Sequence, residues 1–280
     1  MKKFKDGDTI MSELMKDFVL QPVVINVPVG KNEFLEKILE RVNKNRELNT
    51  LWKINNVNAI SRLGYSDHGY THFQIVANSA LRIARILVKK GVTMSLVKDY
   101  GFENTYSEGV IFLASVMHDI GMSVNREGHE ELSLFIARDL LKEILDFLSV
   151  EERTIVSSEV LHAILSHRSS GSPITVEAGI VRVADALDMA NGRSRIPFES
   201  GKVNIHSVSA YAIDSVSIRE GAEKALQIHI LMNNSSGLFQ IDELLRSKLR
   251  DSGISQYFEI TASMKGETEK SLIKELRVDI

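Results

Sequence analysis

The stretch "SEGVIFLASVMHDIG", residues 107–121, narrows the possible folds more than any other part of the chain. From Val110 to Met117 it is apolar except for Ser115. A helix of that kind has no polar face to give to water, so it must run through a core and be enclosed by other elements. It delivers His118 and Asp119 at its C-terminal end, and Gly121 is the expected stop. A carboxylate buried there is doubly disfavoured, by desolvation and by the negative end of the helix dipole. A metal ion would remove both penalties. Two residues never fill a coordination shell, however, so the rest of the chain must supply partners.

The segments on either side predict the enclosing helices. "NEFLEKILERVNKN" places Phe34, Leu35, Ile38 and Val42 at helical spacing. Residues 71–91 read as a helix capped by Thr71 and ended by Gly91, with His72 in its first turn. A helix over 128–145 opens with His129, and one over 151–171 carries His162 and His167 towards its end. Residues 175–192 form another, with Asp185 and Asp188 three apart and so on neighbouring parts of one face. Consecutive helices therefore each offer a candidate ligand. Ahead of them, "VVINVPV" (23–29) looks extended, and Pro28 argues for an edge strand or an arm. After about Ser200 the pattern changes to strands over 213–218, 224–232 and 254–264, with a helix over 239–253. The organisation expected is an N-terminal arm (1–30), a helical domain (31–199) and a small α+β appendage (200–280), mainly α in class.

Composition limits the chemistry. The chain has no cysteine, which excludes disulfides, thiolate nucleophiles and Cys-ligated zinc and leaves histidine and carboxylates as metal donors. A net charge of -3 over 280 residues gives no global field to recruit nucleic acid, and no DNA-binding signal is present. The opening "MKKFKDGDTIMSELMKDF" lacks an uninterrupted apolar core, and no later stretch approaches the roughly 18 apolar residues of a membrane span. A cytoplasmic protein with no membrane association is expected.

The order His72, His118-Asp119, His129, His167, Asp185 resembles the HD-domain superfamily of metal-dependent phosphohydrolases. The resemblance spans roughly residues 60–195 and is carried by "DHGYTHFQIV", "SVMHDIGM", "GHEELSLFIARDLL", "AILSHRS" and "VRVADALDMANGR". It implies an all-α bundle whose ligands converge from separate helices. His72, His118, Asp119 and Asp185 would form the minimal site, and His129 and His167 resemble the two-metal branch, with Asp119 bridging. Such donors suit divalent iron, manganese, cobalt, nickel or zinc, two per chain. The activity implied is hydrolysis of a phosphomonoester or phosphodiester in a small phosphorylated molecule, foremost a nucleotide, through a metal-activated hydroxide with Asp119 at its centre. Two alternatives follow from the same ligands: a di-iron oxygenase of the HD type, and a ligand-binding regulatory protein.

Other residues have more than one reading. His162 and His167 are five apart and cannot share a helical face; "AILSH" matches the superfamily better, so His167 is taken as the ligand and His162 as a core or supporting histidine. His68 can donate a proton to a leaving oxygen, with Asp67 supporting it. Asp188 either orients a ligand or caps the following loop. Arg126, Arg193 and Arg195 are the candidate contacts to substrate phosphate. The region after His167 reads "SHRSSGSPIT" and lacks the Gly-Tyr-Pro signature of the cyclic-dinucleotide branch, so cyclic-di-GMP is not supported. The appendage carries no catalytic constellation; it reads as a regulatory or dimerisation module, with a homo-oligomer formed through its strand edges.

Overall fold

The computed structural model describes residues 23–168, 170–190, 205–265 and 275–278. The helices, in chain order, are α1 (Glu33–Lys44), α2 (Arg46–Asn56), α3 (Tyr70–Lys89), α4 (Ser95–Tyr100), α5 (Asn104–Met117), α6 (His129–Ile144), α7 (Val150–Ser166), α8 (Val176–Ala186), α9 (Ile205–Tyr211) and α10 (Ser247–Arg250). The apolar run is α5, and every residue from Val110 to Met117 is fully buried. Helices α1, α3, α7 and α8 pack around it, the enclosure that an all-round apolar helix demands.

Local chemistry sets the helix ends. Asn32 and Asn45 cap α1 and α2, Ser149 forms a reciprocal capping box with Glu152 at α7, and Thr175 caps α8. Gly91, at φ 85°, follows α3 as expected. Two expectations fail. Thr71 does not cap α3, which starts one residue earlier behind Gly69; the loop is held instead by Asp67, whose Oδ1 accepts from the Gly69 N–H at 2.8 Å. Gly121 is not a left-handed stop either, because α5 ends at Met117 and Gly121 lies in a 3₁₀ turn over Ile120–Ser123. Glycine is needed there for space: a Cβ would sit 2.1 Å from the His129 carbonyl oxygen and 2.6 Å from the Ser133 nitrogen.

Residues 23–29 run extended without joining a sheet. Side-chain amides take the place of strand partners: Asn43 accepts from the Ile25 N–H (2.8 Å) and donates to the Ile25 carbonyl (2.9 Å). The rest of the expected arm, residues 1–22, lies outside the described residues.

The C-terminal part forms a four-stranded sheet in the order β1 (Ile213–Glu220), β2 (Leu226–Met232), β3 (Phe258–Met264), β4 (Glu275–Val278). β1/β2 and β3/β4 are antiparallel, whereas β2 and β3 are parallel and so require a crossover. A π-helical stretch (Gln240–Arg246) leading into α10 lies on that crossover, where one regular helix was expected. β4 was not expected at all. Burial alternates along β2 and β3, so one face of the sheet is covered. β1 and β2 pack on α3, and α10 packs on α8, which joins sheet and helices in one hydrophobic core. Among the described residues no helix is long and apolar enough to cross a membrane.

Candidate metal centre

The end of α5 is buried, so the carbonyls that a helix C-terminus leaves unpaired need partners from elsewhere. Neighbouring side chains supply them. Trp52 Nε1 donates to the Val116 carbonyl (2.9 Å), Asn55 Nδ2 to the Asp119 carbonyl (2.9 Å), Asn58 Nδ2 to the Met122 carbonyl (2.8 Å) and Ser133 Oγ to the His118 carbonyl (2.8 Å). The His118-Asp119 backbone is thereby fixed from several directions.

Around it stand five imidazoles and Asp185. Asp119 divides them between its two oxygens. Oδ1 faces His129 Nε2 at 2.9 Å and His167 Nε2 at 3.3 Å. Oδ2 faces His68 Nδ1 at 2.8 Å, His118 Nε2 at 3.7 Å and His72 Nε2 at 3.8 Å. Asp185 Oδ1 completes the second group, 3.4 Å from His72 Nε2 and 3.7 Å from His118 Nε2. His72, His118, Asp119, His129 and His167 are all buried.

The remote nitrogens are also engaged. His118 Nδ1 donates to the Ser115 carbonyl (2.9 Å), His129 Nδ1 to the Arg126 carbonyl (2.9 Å), His167 Nδ1 to the Ile164 carbonyl (2.6 Å) and His72 Nδ1 to Asp188 Oδ2 (2.6 Å). These acceptors fix a proton on Nδ1 of each ring and point each Nε2 inward, where the neutral ring carries its lone pair. His72 Nε2 and His118 Nε2 lie 3.1 Å apart, a separation at which two imidazoles can ligate one cation. The donor set, neutral imidazole and carboxylate without sulfur, fits a divalent transition metal. Among the described residues, four overlapping groups of ligand atoms gather within 4.8 Å: His68, His72, Asp119; His72, His118, Asp185; His118, Asp119, His167; and His129, Glu130, His167.

The electrostatics agree with that reading. Burial pushes the His118 imidazole down to about 3, so it is neutral and able to ligate at physiological pH. Burial alone would raise Asp119, but His118 and the hydrogen bonds from His129, His167 and His68 outweigh it and hold the carboxyl well below its usual range. Asp185 is likewise held low against its burial, chiefly by the Lys248 ammonium and then by His72. Both carboxylates are ionised where metal binding needs them to be.

The remaining expected residues separate. Asp188 touches His72 directly, with Oδ2 2.6 Å from Nδ1, and so fixes the orientation of that ring. His162 does not reach the centre: its Nε2 accepts from the Ile174 N–H at 3.1 Å and its Nδ1 lies 3.3 Å from Ser166 Oγ, so it supports the turn after His167. Asp67 braces the loop before α3 through Gly69 and Asn56. Arg126 is exposed, with Nη1 3.0 Å from His129 Nδ1. Arg193 and Arg195 lie outside the described residues.

Glu130 of the fourth ligand group escaped the sequence reading, as did two cationic residues. Lys248, on α10, pairs with Asp185 Oδ2, and Arg182, fully buried on α8, donates to the carbonyls of Lys248 (2.9 Å), Ser166 (3.1 Å) and Gly171 (3.0 Å), and to that of Arg168. An arginine inside the apolar run "GIVRVADA" was a usable signal for a buried cation. A lysine in an amphipathic helix gave none.

Comparison with known proteins agrees with this geometry. The family model described as "HD domain" matches residues 69–190, a span that begins just before His72 and ends just after Asp188. The uncharacterized protein MJ1020 of Methanocaldococcus jannaschii is 43% identical over 242 residues, covering 86% of this chain and 93% of that protein. No solved structure matches the chain.

Proposed function

The chain belongs to the HD-domain family, whose members are typically metal-dependent hydrolases, and from that premise we propose that it is a binuclear phosphohydrolase acting on a small phosphorylated molecule, foremost a nucleotide. The observation that carries this reading is the division of Asp119, with one oxygen towards His129 and His167 and the other towards His72 and His118. His72, His118 and Asp185 would hold one divalent metal, His129 and His167 the other, and Asp119 would serve both. When bound, the metals supply activation of water at neutral pH and neutralisation of the phosphoryl oxygens.

The protein's own groups do the rest. His68 keeps 14% of its side chain exposed, unlike the fully buried side chains of His72 and His118. With Nδ1 hydrogen-bonded to Asp119 Oδ2, it is placed to hold a proton for the departing oxygen. The exposed guanidinium of Arg126 beside His129 suits recognition of an anionic substrate. A homo-oligomer built through the sheet edges, β1 or β4, is the assembly this reading favours.

The test is phosphate release by metal-loaded protein from a panel of nucleotides, dinucleotides and phosphomonoesters. Release that disappears in Asp119→Ala, and falls without loss of bound metal in His68→Ala, is the expected result. No release from any member of the panel overturns the proposal, and oxygen uptake by iron-loaded protein in its place would assign the centre to oxygenase chemistry.

A further inference from the structure

Asp185 sits on a boundary. Its Oδ1 faces His72 and His118, and its Oδ2 pairs with the Lys248 ammonium, which arrives from the C-terminal unit. The contact is shielded from solvent, with side chains only 17% exposed for Lys248 and 13% for Asp185. Arg182 lies one turn before Asp185 on α8 and is fully buried. Its Nε donates to the Lys248 carbonyl, and its Nη1 to the carbonyls of Ser166, Arg168 and Gly171, which bracket His167. One guanidinium thus fastens the backbone of Lys248 to the turn that carries a ligand. The packing is equally close at Gly179, where a Cβ would lie 2.4 Å from the Ser252 carbonyl oxygen.

We propose that the C-terminal unit is a wall of the metal centre, with Lys248 the positioning residue for Asp185 and Arg182 the fastener that sets both Lys248 and the His167 turn. The inference rests on the reading of the site as a metal centre. A carboxylate with one oxygen held by an ammonium presents the other in a fixed direction. Released from Lys248, Asp185 can rotate its Oδ1 away from His72 and His118. Loss of such a supporting partner weakens metal binding by about 10–100-fold.

The experiment is a competition titration of the full chain with cobalt(II) or zinc(II) against a chromophoric chelator, comparing wild type, Lys248→Met and Lys248→Arg. The expected result is a metal bound about tenfold or more weakly in Lys248→Met, with the second metal unchanged and most of the loss recovered in Lys248→Arg. A purely structural role would weaken both metals alike. Equal weakening, or no weakening, in Lys248→Met overturns the inference while leaving the metal centre intact. A wild-type chain that takes up no metal overturns both, so the two failures are distinguishable. Should Lys248→Met not fold, Lys248→Gln, which keeps a hydrogen-bond donor without the charge, makes the same comparison.

Discussion

The helical region and the C-terminal unit meet at Asp185 and reach it by different means. From the helical side come His72 and His118, rings pinned at both ends, with Nδ1 bonded to Asp188 or to the Ser115 carbonyl and Nε2 facing the centre. From the other side comes one lysine on a four-carbon stem, aimed by the Arg182 bond to its backbone. The first arrangement fixes geometry and the second supplies charge. A centre that held metals in a set shape, yet tolerated their removal, would have use for both: without metal the ammonium compensates a buried carboxylate that would otherwise be costly.

The largest expected effect sharpens the division of labour among the ligands. Asp119→Ala removes the one group shared by both halves, so binding of both metals should weaken by more than about a hundredfold, whereas Asp185→Ala should cost chiefly one. Elemental analysis after dialysis reads the difference; similar losses in the two variants would break the assignment of Asp119 as the shared ligand.

Arg182→Met tests whether the two regions are fastened as described. It removes the guanidinium donor from the carbonyls of Lys248, Ser166 and Gly171, and each lost partner costs about 1–3 kcal/mol. A loss of about 3 kcal/mol in urea unfolding is expected, with a single transition for helices and sheet together. Two separate transitions in the wild-type protein would show that the regions fold independently.

The metal-free protein should also lose stability in acid. Unfolded, a histidine takes up a proton below about 6.5; folded, His118 resists protonation down to about 3. Its contribution is complete above 6.5 and declines as pH falls between those values, by about 2 kcal/mol at pH 5. His129 works in the opposite sense. Burial would lower it, but its hydrogen bond to Asp119 raises it, so its contribution is present below 6.5 and fades as pH rises through the raised value. The two slopes fall in different ranges, that of His118 below about 6.5 and that of His129 above it, so His118 sets the sign towards acid. Stability that increased from pH 7 to 5 would contradict a neutral, buried His118.

Smaller effects separate ligand orientation from loop support. Asp188→Ala, which frees His72 Nδ1, should weaken one metal about tenfold. His162→Ala should leave metal content unchanged and cost about 1 kcal/mol through the lost acceptor for Ile174. Metal loss in His162→Ala would reopen its competition with His167.

The helical region was largely legible because its chemistry follows periodicity. An apolar helix ending in His-Asp, with a histidine near one end of α3, α6 and α7 and an aspartate near the end of α8, leaves few ways to place those polar groups. Five residues turn a helix to another face, so His162 and His167 could not both face the centre, and it was the resemblance of "AILSH" to the superfamily that favoured His167. Gly121 was misread because close approach of α6 leaves no trace in the local sequence, whereas a left-handed stop has the same glycine signature. β4 was missed because "ELRV", although it alternates polar and apolar, is only four residues long and too short a run to mark a strand. Lys248 could not be found, because a lysine on an amphipathic helix has the same local pattern whether water or a carboxylate awaits its ammonium.

The most direct test is a metal count on protein purified without added metal, made by elemental analysis on wild type, His129→Ala and His167→Ala. Two transition metals per chain in the wild type, falling to one in each variant, is the result predicted by an Asp119 shared between two sets of histidines. One metal in the wild type, unchanged by either substitution, would contradict it and confine the centre to His72, His118, Asp119 and Asp185.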